Sequence, residues 1–222
     1  KKNWIAVLMS TNTIHVWDIQ NKNKVFTIQA KQIAREVADI WFIPLGLCVG
    51  LIDGTLLKFS IGQTEPKQVI GANYSDVTGL RFSPTITHQF AILRNDKISF
   101  HSFRKTLWEN LNGSGIDMDM LAFNSSGNQM AFVRNGTVEV RDCQTGHVLN
   151  QIESDDKIVS FCFARQPNIV IAVSSNNTIQ VWDLSANQVA KTYRYKQVNT
   201  PIRNLDCTGN GRQFAFATDK GE

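Results

Sequence analysis

Histidine, cysteine and paired carboxylates are the side chains through which this chain could bind a metal or move a proton, and their spacing is the first constraint on its chemistry. The four histidines are His15, His88, His101 and His147, and none stands at ligand spacing from a cysteine or a carboxylate. Surface or packing roles are expected for them, and no metal. Cys48, Cys143, Cys162 and Cys207 lie far apart with no Cys-x-x-Cys pair, which signals neither a zinc site nor a disulfide framework. They read as small core hydrophobes in a chain from a reducing compartment, cytoplasmic or nuclear. Carboxylates gather at Asp117 and Asp119 and again at Glu153, Asp155 and Asp156. Both groups are expected in links between strands, as solvated charges without the cleft a glycosidase needs. Gly113-Ser114-Gly115 and Gly209-Asn210-Gly211 lack the Gly-Lys-Ser/Thr ending that cradles phosphate, and no Gly-x-Ser-x-Gly elbow occurs. No catalytic residue and no cofactor is assigned, and the expectation is a protein that is not an enzyme.

The elements that position these residues follow from a repeat. Thr13-Ile14-His15-Val16-Trp17-Asp18-Ile19 returns as Thr178-Ile179-Gln180-Val181-Trp182-Asp183-Leu184. Between them, Thr55 to Ile61, Lys97 to Phe103 and Thr137 to Cys143 stack on the same frame. The Trp position falls at 17, 59, 101, 141 and 182, steps of 42, 42, 40 and 41 residues. A second anchor, the Phe closing an earlier strand, recurs as Phe42, Phe82, Phe123 and Phe163, with Cys207 in the last copy. Within a period the pattern predicts four short strands, in the third copy Val77 to Ser83, Gln89 to Arg94, Lys97 to Phe103 and Thr106 to Leu111. The second and third strands are joined by Asp53-Gly54, Asn95-Asp96, Asn135-Gly136 and Asn176-Asn177, residues that accept the positive φ of a tight hairpin.

Four strands in about 40 to 45 residues are the unit of a β-propeller blade. Through Val16-Trp17-Asp18, Val181-Trp182-Asp183, Phe82-Ser83-Pro84 and Asp53-Gly54-Thr55 the chain resembles the Trp-Asp repeat family along almost its whole length. It departs from the family's pattern in lacking the Gly-His pair before each innermost strand, since the one Gly146-His147 lies elsewhere in the blade. The family's buried relay from His through Ser to Trp is therefore expected to be broken. Its last link is retained only at Ser10 with Trp17 and Ser174 with Trp182, while Phe59, His101 and Arg141 have lost it.

The predicted fold is all-β, a propeller of four-stranded antiparallel blades with about five to six blades present. The blades span 1–30 (partial), 37–72, 77–111, 118–153, 157–195 and 201–222 (partial). The twenty-one strands counted fit a seven-bladed ring cut mid-blade at both ends. The alternative is a closed five-bladed ring in which the last two strands share a sheet with the first three.

With 42% apolar and 19% charged residues the chain has an ordinary globular composition, and its net charge of +4 is spread along its length. The longest apolar run, from Ile40 to Ile52, is broken by Pro44, Gly46 and Gly50 and is too short to span a membrane. Blade-to-blade links and second-to-third-strand turns are expected to crowd one rim, where loops on a rigid scaffold present side chains. The candidate partner-binding residues are Arg35, Tyr74, Arg94, Arg134 and Lys157 in or beside those loops, with Arg81 and Arg203 in inner strands. Arginine and tyrosine are the types enriched at binding hot spots. The resemblance implies a non-catalytic scaffold for protein partners in a multi-subunit assembly. The alternative is a propeller that binds nucleic acid or anionic lipid through basic residues such as Lys191, Arg194 and Lys196.

Overall fold

The computed structural model describes residues 3–29, 31, 33, 36–43, 46–70, 77–83, 89–95, 97–103, 105–112, 115–164, 166, 168–194, 200–207, 213–218 and 220. Twenty-one strands among them form six antiparallel sheets, each a run of sequence neighbours. The first holds β1 (Trp4–Leu8), β2 (Ile14–Asp18) and β3 (Asn23–Ile28). The second holds β4 (Val37–Ile43), β5 (Gly46–Leu51), β6 (Leu56–Ser60) and β7 (Pro66–Ile70). The third holds β8 (Val77–Phe82), β9 (Gln89–Arg94), β10 (Lys97–Ser102) and β11 (Lys105–Asn112). The fourth holds β12 (Ile116–Phe123), β13 (Gln129–Arg134), β14 (Thr137–Asp142) and β15 (Val148–Ile152). The fifth holds β16 (Ile158–Phe163), β17 (Ile169–Ser174), β18 (Thr178–Asp183) and β19 (Gln188–Arg194). The last pairs β20 (Ile202–Cys207) with β21 (Phe214–Thr218). Successive first strands touch, β4 with β8, β8 with β12, β12 with β16 and β16 with β20, so these are the inner strands.

Local chemistry explains both hairpins of a blade. The turns between second and third strands carry positive φ at Asn12, Gly54, Asn95, Asn135, Gly136 and Asn177, as the Asn and Gly types there require. At the other end the Asp of the Trp-Asp pair closes the third-to-fourth turn. The Asp18 carboxylate accepts the N–H groups of Gln20 and Asn21, Asp142 those of Gln144 and Thr145, and Asp183 those of Ser185 and Ala186. The bond from the Asn21 N–H leads the interactions that hold the Asp18 carboxyl below its ordinary range.

The core lies between sheets, not within them. Ile14 and Val16 of β2 pack on Leu47, Val49 and Phe59 of the second sheet, and Phe100 of the third packs with Met130 and Phe132 of the fourth. Alternation along the inner strands sets up a repeated slot. The residue before each Phe anchor faces forward and the anchor faces back, which brings Trp41 to Phe82 and Ala122 to Phe163. In the same slot between the last two sheets, Cys162 meets Cys207.

Three sequence expectations change. Asp117 and Asp119 lie inside β12, not in a link, because the fourth inner strand begins at Ile116 and its register shifts between Ile116 and Leu121. The Ser–Trp links are absent: Trp17 is 40% exposed, while Ser174 Oγ bonds to Ser154 Oγ at 2.9 Å and Trp182 Nε1 donates to Gln180. Among the described residues the five-bladed closure does not form, since β1 and β21 belong to separate sheets.

Asn12 and Asn177 tie neighbouring sheets together from their turns. Asn12 Oδ1 accepts the Val37 N–H at 3.2 Å; Asn177 Oδ1 accepts the Ile202 N–H at 3.0 Å and its Nδ2 donates to Thr200 O at 3.1 Å. Asn177→Ala removes both bonds and puts a poor residue at φ 61°, so a loss of about 2 to 3 kcal/mol is expected. Asn177→Gly, which keeps the φ, should lose roughly 1 kcal/mol less. Equal losses for the two variants in urea unfolding would remove the backbone part of this account.

Candidate interaction rim

The links between sheets and the second-to-third-strand turns do meet on one side of the molecule. The Ile52 N–H donates to Glu36 O, and the Ser175 N–H to Lys157 O. Asn176 Nδ2 reaches Asp156, and Arg134 Nη2 reaches Asn112 O. The first three bonds join a hairpin turn to the link beside it and the last joins the ends of β13 and β11, so the rim is cross-tied and its side chains stand on a rigid base. Between the fourth and fifth sheets the rim opens into a recess of about 520 Å³, with Asn135, Thr137, Ser154, Asp155 and Lys157 among its lining.

Of the seven candidate residues, Arg35 and Tyr74 lie outside the described residues. Lys157 is exposed at the mouth of that recess, and Arg203 is exposed near the start of β20. Arg94 is half-buried at the end of β9, beside the Asn95 turn. The other two face inward partners. Arg81 lies next to the Asp39 carboxylate and donates from Nη1 to Leu80 O at 3.1 Å. Arg134 Nη1 pairs with Glu139 Oε1 at 3.2 Å, with its guanidinium over the Phe132 ring.

Sequence reading missed what replaces the broken relay. Where the fourth sheet has Arg141 at the Trp position, Glu139 stands two residues earlier on the same face. Arg141 Nε and Nη2 both donate to Glu139 Oε2, at 2.9 and 2.7 Å, and Nη1 donates to Gly146 O at 2.6 Å. In the third sheet buried His101 takes that position. Its Nε2 lies 2.7 Å from Ser99 Oγ, its Nδ1 lies 3.1 Å from Thr106 Oγ1, and its ring stacks on Phe90. Burial lowers the His101 pKa to about 4, so the ring is neutral at physiological pH. An i, i+2 pair on a strand was the available signal for both sites.

Asp39 on β4 is the other displaced group. Its oxygens accept the N–H groups of Ile40 and Phe82, yet desolvation outweighs these bonds and the nearby Arg81 and raises its pKa to about 6. The folded state therefore favours the protonated acid, a contribution complete below about pH 4 and lost as pH rises through 6. Asp39→Asn cannot ionise. Its stability relative to the parent should improve by about 2 kcal/mol between pH 4 and pH 7. A difference that stays constant in urea titrations at the two pH values would refute this.

The sheets, their inner-strand contacts and the inter-sheet core together decide the architecture. The chain has the β-propeller fold. Each blade is antiparallel, with its strands in sequence order. Comparison with solved structures agrees. One chain of "Crystal Structure of Mitotic Checkpoint Complex" superposes with a TM-score of 0.75 at 13% identity, over 99% of this propeller and 69% of that chain. The computationally designed Ika8 protein superposes with a TM-score of 0.72 at 22% identity, over 100% of this propeller and 67% of that chain. No family model and no curated protein matches the sequence. No helix of the propeller is long and apolar enough to cross a membrane among the described residues.

Proposed function

We propose that this propeller is a non-catalytic scaffold that binds protein segments or folded partners on the rim where links and hairpin turns converge. The observation that carries the reading is the cross-tied rim itself: short loops are held by bonds such as Asn177 to Ile202 and Ser175 to Lys157, and an open recess lies along the rim beside Lys157. A pre-organised surface loses little freedom on binding, which favours affinity. Likeness to a chain crystallised within a multi-protein complex supports the same reading. Arg94, Lys157 and Arg203 are the cations this rim offers to a partner, with Arg81 and Arg134 bracing it from within; Arg35 and Tyr74 belong to the same proposal. The reading also treats the six sheets as blades of a seven-bladed ring, in which the exposed Ile5, Val7 and Trp17 of the first sheet meet a neighbouring blade.

Affinity capture from nuclease-treated extract tests the proposal. Stable protein partners are expected, and they should be lost from a triple variant Arg94→Glu, Lys157→Glu, Arg203→Glu. Recovery of no partner, or of the same partners by the variant, contradicts it. The rival reading rests on exposed Lys191, Tyr193 and Arg194 along β19. It requires RNA, DNA or anionic vesicles to bind at ~50 mM salt, with affinity falling steeply as salt rises.

A further inference from the structure

We propose that Cys162, Cys207 and Asp206 form a site for a soft divalent cation of the zinc class, bridging the inner strands of the fifth and sixth sheets. The repeat explains how two distant cysteines meet. The inter-sheet slot that holds Trp41 against Phe82 and Ala122 against Phe163 holds a cysteine on each side here, because Cys207 replaces the Phe anchor of the other copies. Loss of that ring removes the bulk which would separate the strands' polar atoms. The Sγ atoms of Cys162 and Cys207 and a carboxylate oxygen of Asp206 all lie within 4.8 Å of one another. A tetrahedral zinc ion spaces its sulfur ligands about 3.8 Å apart, so closure of the triad requires only small side-chain movements.

The Cys207 thiol donates to Phe163 O at 3.3 Å, a bond that gives way when the thiolate turns to an ion. The strands are fixed, since the Leu205 N–H donates to Ser160 Oγ at 3.1 Å and β16 packs along β20. Asp206 is oriented by the Cys207 N–H, which donates to its Oδ1 at 2.8 Å, leaving the second oxygen for coordination. Cys162 is buried whereas Cys207 and Asp206 reach a surface recess bounded by Gln213, Phe214 and Ala215. Three protein donors with an open side admit water as a fourth ligand. Two thiolates and one carboxylate favour zinc or cadmium over magnesium or calcium, which prefer all-oxygen sets. A disulfide between the cysteines would use two of the three groups and leave the converging carboxylate without a role. Cys48 and Cys143 are buried singly and provide internal controls.

Titration of the full chain with cadmium, under a phosphine reductant that keeps thiols free, reads the site directly. One equivalent should produce thiolate-to-metal charge-transfer absorption, and zinc should displace it. The band should vanish in Cys207→Ser and in Cys162→Ser, persist in Cys48→Ser and Cys143→Ser, and need roughly tenfold more metal in Asp206→Asn. Cys207 is only half-buried, so its serine variant should keep the fold. Zinc should raise the parent's melting temperature and leave that of Cys207→Ser unchanged. Absence of the band, its survival in Cys207→Ser, or its loss in Cys48→Ser overturns the assignment.

Discussion

Glu139→Ala is expected to lower the unfolding free energy by about 3 to 5 kcal/mol, the cost of leaving a buried cation without its counter-charge. Glu139 and Arg141 are 6% and 8% exposed, between the third and fourth sheets, and Glu139 is the common acceptor for Arg141 and Arg134. Removing it strands two guanidinium groups over the Phe132 ring, where cation–π attraction of about 1 kcal/mol each cannot compensate. Arg141→Met should cost less, because Arg134 still faces the carboxylate. The double variant Glu139→Leu with Arg141→Met should recover only the part of the loss due to Arg141, because Arg134 still lacks its carboxylate. Urea unfolding of the three variants checks the order. A loss below about 1 kcal/mol for Glu139→Ala would mean that the pair behaves as a solvated surface bridge.

Phe100→Ala is expected to cost about 3 to 5 kcal/mol through lost burial and the cavity left behind. Phe100 has no exposed surface; its ring stacks with Trp108 at 6.0 Å and meets Phe123 across the sheet interface at 5.9 Å. Trp108 is pinned, since its Nε1 donates to Cys143 O at 2.9 Å and Gly146 lies against its ring, so the neighbours cannot collapse into the void. Phe100→Leu should lose only about 1 to 2 kcal/mol. If the two variants are equally stable to within error, the pinned-wall argument is wrong.

Much of the fold was legible because strand period, turn type and repeat length act locally. Asn and Gly at hairpin turns take positive φ, and the predicted strands of the third copy match β8 to β11 to within a residue or two. What was illegible depends on which residues of different blades face each other. The cysteines read as isolated because 45 positions separate Cys162 from Cys207; only the offset between anchor and preceding residue, seen across copies, pairs them. Arg134 and Arg81 read as surface cations because a sequence does not show that Glu139 and Asp39 point at them. Asp117 and Asp119 were misplaced by an inner strand longer than its counterparts in other blades, with an irregular register that the repeat average conceals.

Rim docking on a rigid propeller is tested most directly by hydrogen exchange on the chain with and without a captured partner. Slower exchange is predicted in the segments around residues 92–95, 134–137 and 154–157, with no change along β19 or at the Asp18 and Asp183 turns of the opposite end. Protection confined to β19 or to those Asp turns, with the rim segments exchanging as in the free protein, would contradict the account.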